Sequence, residues 1–249
     1  MNKTCTNNPP VQLILGAYGG IGSEVVRLLE AAGNRVAVSG RDRDRLDSLD
    51  VSADAGRWTL DATQHEAVEQ VVKSVAEANG RIDGIVNCVG SVLLKPAHLT
   101  RQDDWQATMD TNLGSAFAVT RAAGRVMTGG GSVVLLSSSA ARVGLANHEA
   151  IAAAKAGVLG LTLSAAATYA SKNLRFNAVA PGLVATPMTE RITRNPAAAK
   201  TSASMHALGR LGRPGDVARM IVWLLDPGND WVTGQVFGID GGLATVRAG

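Results

Sequence analysis

The sequence predicts an α/β fold, a Rossmann-type doubly wound parallel sheet with helices on both faces in a three-layer α/β/α arrangement. Short apolar runs alternate with longer amphipathic stretches six times along the chain, the pattern of parallel strands joined by crossover helices. The composition is 46% hydrophobic, 18% charged and 4% aromatic, with 28 glycines. That suits small, closely packed helices and glycine-rich turns, and it excludes wholesale disorder. The first apolar run opens directly into a glycine-rich turn and a helix, as in nucleotide-binding βα units.

Met1 to Pro10 is polar, lacks an apolar signal core and ends in Pro9-Pro10, so it reads as a flexible tail on a cytoplasmic protein. Residues 11–249 read as one catalytic, dinucleotide-binding domain, since no linker or repeat divides them. Val11 to Leu15 is a buried strand. Ile21 to Ala32 carries apolar residues at 21, 25, 28, 29 and 32, a helical stripe. Arg35 to Ser39 is a second strand, Arg43 to Leu49 a short helix and Arg57 to Leu60 a brief strand. Gln64 to Ala78 is a helix stopped by Asn79-Gly80. Gly84 to Val89 is a central strand. Thr100 to Met127 is one long helix with Thr100 as N-cap, ended by Gly129-Gly130-Gly131. Ser132 to Leu136, Glu149 to Ala170 and Leu174 to Ala178 complete the alternation as strand, helix and strand, and Pro181-Gly182 stops the last.

Several function classes are excluded. Cys5 and Cys88 build no disulfide framework, and the histidines at 65, 98, 148 and 206 have no metal-ligand spacing. The net charge of +3 is scattered. Arg41, Arg43 and Arg45 are interleaved with Asp42 and Asp44, so no basic face for nucleic acid forms. No uninterrupted apolar run reaches the length that spans a bilayer. Trp58, Trp105, Trp223 and Trp231 are too dispersed for a base-stacking platform.

Ligands of doubly wound sheets bind beyond the carboxyl ends of the strands. After the first strand comes Gly16-Ala17-Tyr18-Gly19-Gly20-Ile21-Gly22, whose backbone can approach a pyrophosphate at a helix N-terminus. The second strand ends Ser39-Gly40-Arg41. Gly40 leaves room, no carboxylate is present to select NAD, and Arg41 offers a planar donor fork for a 2′-phosphate. The expected cofactor is therefore NADP(H), with NAD(H) second. The alternative for Arg41 is a solvated side chain at a helix start. Asp61, followed by Ala62, faces the adenine side, and Asn87 to Gly90 lets backbone pass close to it.

These residues together resemble the short-chain dehydrogenase/reductase family, over about Val11 to Gly242. The family's glycine motif matches Gly16, Gly20 and Gly22, and Asn87-Cys88-Val89-Gly90 stands for its Asn-Asn-Ala-Gly. Asn112 matches its helical proton-relay asparagine and Ser138 its strand-end serine. Asn177 to Gly182, with Val184 and then Thr186, matches the segment that lines the nicotinamide, so Pro181, Gly182, Val184 and Thr186 are implied cofactor contacts. Arg213 to Ala218 and Thr233 to Gly242 match its last helix and strand. The resemblance implies an NADP(H)-dependent oxidoreductase on a carbonyl or alcohol of a small molecule, a homotetramer or homodimer built on the two long helices, and a mobile lid over about 186–208.

One motif departs. The family carries Tyr-x-x-x-Lys thirteen residues after the serine; here Lys155 is in place and Ile151 stands at the tyrosine position. In the family, tyrosine gives the substrate oxygen its proton, lysine lowers the tyrosine pKa and holds the nicotinamide ribose, and serine bonds the oxygen. Ile151 shares a helix face with Lys155 but has no proton to give. Tyr169 lies roughly four turns beyond Lys155, too far to substitute. His148 lies on the same stripe if the helix starts early and is a candidate acid; the alternative is a helix-start histidine bonded to backbone or water. Cys88 reads as a small buried hydrophobe. Two other readings stay open: a non-redox enzyme that keeps the cofactor pocket, and a binding protein that senses NADP(H).

Overall fold

The computed structural model describes residues 9–247. The predicted tail, apart from Pro9 and Pro10, lies outside the described residues, as does Cys5. Seven parallel strands form one sheet in the order β3-β2-β1-β4-β5-β6-β7. They are β1 (Val11–Leu15), β2 (Arg35–Gly40), β3 (Gly56–Thr59), β4 (Gly84–Asn87), β5 (Gly131–Leu136), β6 (Leu174–Pro181) and β7 (Val236–Ile239). The helices are α1 (Gly20–Ala31), α2 (Arg43–Asp47), α3 (His65–Asn79), α4 (Gln102–Met109), α5 (Ser115–Val126), α6 (Glu149–Tyr169), α7 (Glu190–Thr193), α8 (Pro196–Met205) and α9 (Pro214–Leu225).

Strand alternation splits the core into two layers. Leu13, Leu15, Val133 and Leu135 pack with α3, α5 and α6 on one face. Ile14, Val38 and Val134 pack with α1 and α9 on the other. Strands covered on both faces must be apolar at odd and even positions alike, which is why β1 reads as a continuous apolar run. The order reverses between β1 and β4, so a crevice opens above the carboxyl ends of these two strands.

The structure corrects several boundaries. The long helix predicted over 100–127 is α4, a π-helical turn at Asp110–Gly114, and α5. Thr100 is not its N-cap: Arg101 is, and the Thr100 hydroxyl donates to Pro96 O at 3.1 Å. The helix from Arg43 stops at Asp47, the central strand stops at Asn87, and β6 runs on to Pro181. Pro181 ends the strand from within. Gly80 closes α3 in the left-handed region, φ +71.

Helix α6 with its following turn, Glu149–Lys172, has the length and apolar composition of a membrane span. In the fold α6 shares one layer with α3 and α5, and its Val158 belongs to the buried core. Tyr169 closes its far end: the ring packs on Phe176 at 5.5 Å, and its Cε1 lies 2.5 Å from where a Cβ on Gly124 would sit. The missing side chain is what lets α6 approach α5 there.

Candidate active site

A cleft of about 470 Å³ runs across the carboxyl ends of β1, β2, β4, β5 and β6. Gly16, with φ +74, turns the chain out of β1. A Cβ on Gly22 would fall 2.3 Å from Gly16 O, and one on Gly20 would fall 2.8 Å from Thr186 Cγ2. Glycine at both positions is required by close approach: Gly22 lets α1 start against the turn, and Gly20 lets the segment after β6 close over it. No side chain caps α1, so its first-turn amides and the positive end of its dipole are open to an anion.

At one end of the cleft stand Tyr18, Arg41 and Arg45. The Tyr18 hydroxyl accepts from the Arg41 backbone N–H at 3.2 Å, and the Arg45 guanidinium lies 4.1 Å from the ring centroid. The space at Gly40 is not left for a ligand, as the sequence suggested, but is taken by the Tyr18 ring, whose Cε1 lies 2.3 Å from a would-be Cβ. Asp61 also lines this end. The Thr63 backbone N–H holds its carboxyl below the usual range, helped by the Thr63 hydroxyl and the Arg41 charge.

The other end is built by β4, β5, α6 and the segment after β6. Ser138 caps a short 3-10 turn, its Oγ accepting from Ala140 N–H at 3.1 Å. That acceptor role leaves the hydroxyl proton available to point elsewhere. Lys155 is only 7% exposed and donates from Nζ to Leu136 O at 2.8 Å. Burial lowers its ammonium from 10.5 to about 8, with no carboxylate among the described residues acting on it. Ser137 Oγ donates to Lys155 O at 2.8 Å and so ties α6 to the end of β5. Ile151, 4% exposed, lines the same wall one turn before Lys155.

Asn112 lies in the π-helical turn. Its Nδ2 donates to Thr108 O and to Ser91 Oγ, both at 2.9 Å, and its Oδ1 accepts from Ser91 N–H at 3.1 Å. The π turn breaks the regular ladder, and the amide satisfies a carbonyl four residues back.

Most sequence-predicted residues converge here. Gly16, Tyr18, Gly20, Ile21, Gly22, Arg41, Asp61, Ala62, Gly90, Asn112, Ser138, Lys155, Pro181, Gly182, Val184 and Thr186 all line the cleft. Asn87 and His148 do not. Asn87 works behind the wall: Nδ2 donates to Ser115 Oγ at 2.9 Å and Oδ1 accepts from Val89 N–H at 3.1 Å, which rigidifies the turn to Gly90. His148 caps α6 rather than sharing the stripe of Ile151 and Lys155, and its Nδ1 lies 2.7 Å from Ala146 O. Arg45 also lines the Arg41 end of the cleft, although in sequence it reads as one arm of a mixed-charge surface helix; the available signal is its place on α2, which follows β2 closely and starts at the N-cap Asp42. Cys88 lines the wall, and burial pushes its thiol up to about 12, which makes it a poor nucleophile.

A parallel sheet crossed by a cleft, with arginines at one end and a serine and buried lysine at the other, defines a Rossmann-like nucleotide-site α/β protein. The chain belongs to the short-chain dehydrogenase/reductase family. The family model described as enoyl-(acyl carrier protein) reductase matches residues 16–244. The chain is 38% identical over 242 residues to the 3-oxoacyl-[acyl-carrier-protein] reductase FabG of Thermotoga maritima, covering 94% of this chain and 97% of that one. It is 34% identical over 243 residues to cis-4-hydroxycyclohexanecarboxylate dehydrogenase of Sinomonas cyclohexanicum, covering 95% and 97%. Among solved structures, a short-chain type dehydrogenase/reductase from Mycobacterium ulcerans superposes with TM-score 0.90 at 31% identity, covering 97% of this chain and 92% of that one. A Tyr-to-Phe variant of ElxO with NADPH bound superposes with TM-score 0.90 at 28% identity, covering 96% and 100%.

Proposed function

We propose that the chain is an NADP(H)-dependent oxidoreductase acting on a carbonyl or alcohol, with its proton chemistry altered because Ile151 occupies the place of the family's tyrosine. The observation that carries this reading is the single cleft joining Arg41 and Arg45 to Ser138 and Lys155. The site fits the cofactor: the glycine turn from Gly16 to Gly22 lines the cleft with backbone, and α1, which starts there, has no side chain competing for its first-turn amides. When bound, NADP(H) supplies or accepts the hydride.

The chain's own groups divide the remaining work. Arg41 and Arg45 neutralise the 2′-phosphate, the α1 amides receive the pyrophosphate, and Lys155 Nζ donates to the nicotinamide ribose. The Ser138 hydroxyl donates to the substrate oxygen, its Oγ held by Ala140 N–H. Ile151 can move no proton. The acid left on that wall is the Lys155 ammonium, which burial brings to about 8, close to the pH at which it would work. Residues 186–208 form the lid: Thr186, Met188 and Thr189 line the cleft and α7 and α8 continue outward from them. The exposed Phe117 on α5 and Leu163 on α6, at 49% and 56%, support assembly as a homodimer or homotetramer through those helices. Light scattering of the chain in solution tests that assembly, and a monomer would refute it.

NADPH consumption with a panel of reactive carbonyls tests the activity. Slow oxidation above background is expected with at least one of them, and none with any would refute the redox reading. The Arg41→Ala variant should lower the NADPH-to-NADH affinity ratio about tenfold, one charge-assisted phosphate contact. An unchanged ratio would remove Arg41 from the phosphate site.

A further inference from the structure

His206 follows α8 and is buried, 4% exposed. Both ring nitrogens are engaged. Nδ1 lies 2.6 Å from Ser202 O, and Nε2 accepts from the Leu183 backbone N–H at 3.2 Å. A carbonyl can only accept and an amide N–H can only donate, so the pair of contacts fixes the neutral ring with its proton on Nδ1. The ring fills the space beside Gly182, where a Cβ would fall 2.6 Å from Nε2. The glycine and the histidine are therefore fitted to each other.

Leu183 sits between Gly182 and Val184, and both of those line the cleft. Its carbonyl accepts from Gly212 N–H at 2.9 Å. Beside the ring, Leu208 N–H donates to Gly241 O at 3.0 Å. Asp240, the ionisable residue of that last turn, is occupied elsewhere: its carboxylate accepts from Ser139 Oγ at 2.8 Å, Gly242 N–H at 3.0 Å and Ala244 N–H at 3.1 Å. One imidazole thus joins the end of α8 to the wall of the cleft, with a donor to one side and an acceptor to the other.

We propose that His206 is a positioning residue that couples α8 to the Gly182–Val184 wall, so that the lid's seat and the backbone lining the cleft are set together. This rests on the reading of the cleft as an NADP(H) site with 186–208 as its lid. Loss of the imidazole leaves the half-buried Leu183 N–H without its acceptor, and α8 without its tether to the wall.

The test compares wild type with His206→Leu and His206→Gln, reading amide hydrogen exchange at Leu183 and across α8 together with NADPH affinity by fluorescence. His206→Leu should raise exchange at Leu183 and α8 together and weaken NADPH about tenfold. Gln, which keeps a donor and an acceptor, should restore most of both. Faster exchange at Leu183 alone, or at both places with unchanged affinity, would overturn the coupling. If wild type binds no NADPH, the cofactor reading fails, and joint exchange at Leu183 and α8 still decides whether the tether exists. Should His206→Leu not fold, nitrogen NMR of the wild-type ring replaces it. A proton on Nδ1 supports the assignment, and one on Nε2 contradicts it.

Discussion

Replacing Ile151 with tyrosine is expected to raise carbonyl reduction by about 10²–10⁴-fold, the usual contribution of a positioned general acid. Positions 151 and 155 are one turn apart on α6 and both line the cleft. A phenol at 151 therefore enters the site on the lysine's side, where the ammonium favours the phenolate and lowers the phenol's pKa. The pocket wall it joins is already complete: Ser138 is anchored by Ala140 N–H, and Lys155 is held by Leu136 O. The control is Ile151→Phe, which adds the same ring without a proton and should leave the rate near that of the wild type. A gain with phenylalanine as large as with tyrosine would mean that shape, not proton supply, limits the reaction. No gain with tyrosine would mean that other parts of the wall have departed from the arrangement the motifs imply.

The second large effect is expected at Lys155. Its ammonium is buried and its pKa falls from 10.5 to about 8, the main cause being desolvation. In the window between those values the unfolded chain holds a proton that the folded chain has lost. Stability contributed by this group therefore rises with pH through the window. The cost of burying the charge is fully present below pH about 8 and is relieved above 10.5; the interval corresponds to about 3 kcal/mol. Lys155→Met keeps the stem's length and removes the charge. It should be more stable than the wild type at pH 7, by about 2 kcal/mol once the lost bond to Leu136 O is set against the gain. The advantage should vanish within the window and reverse by about 1 kcal/mol toward pH 10.5, where only the lost bond to Leu136 O remains, and NADPH affinity should fall by more than about tenfold. A variant less stable than the wild type at pH 7, with an unchanged slope against pH, would contradict the assignment. Such a trade, stability given up to hold a charge in the site, is what a functional lysine without a carboxylate partner implies.

The sheet was legible because its signals are local. Leu13, Ile14 and Leu15 are apolar without alternation, as a strand covered on both faces requires, and Gly16 with Gly20 and Gly22 marks the turn by chemistry no other residue supplies. Features that depend on what the fold brings together were less legible. The π turn at Asp110–Gly114 leaves no mark in the helical periodicity, and it appears only where Asn112 finds Ser91 and the Thr108 carbonyl. Gly40 announced space, but the occupant is Tyr18, twenty-two positions earlier in the chain. His148 stands at the N-cap of α6, where the backbone is not yet helical, and its Nδ1 lies against the Ala146 carbonyl rather than in the cleft. His206 looked like one lid residue among polar neighbours, because its partner at Leu183 lies across the fold.

Equilibrium titration of the full chain with NADPH and with NADH, followed by nicotinamide fluorescence, tests the central claim most directly. The arrangement of Arg41 and Arg45 at one end of the cleft and Lys155 at the other predicts saturable binding of both, with NADPH at least about tenfold tighter. Equal affinity for the two would remove the arginines from the phosphate site, and no binding of either would contradict the account of the cleft.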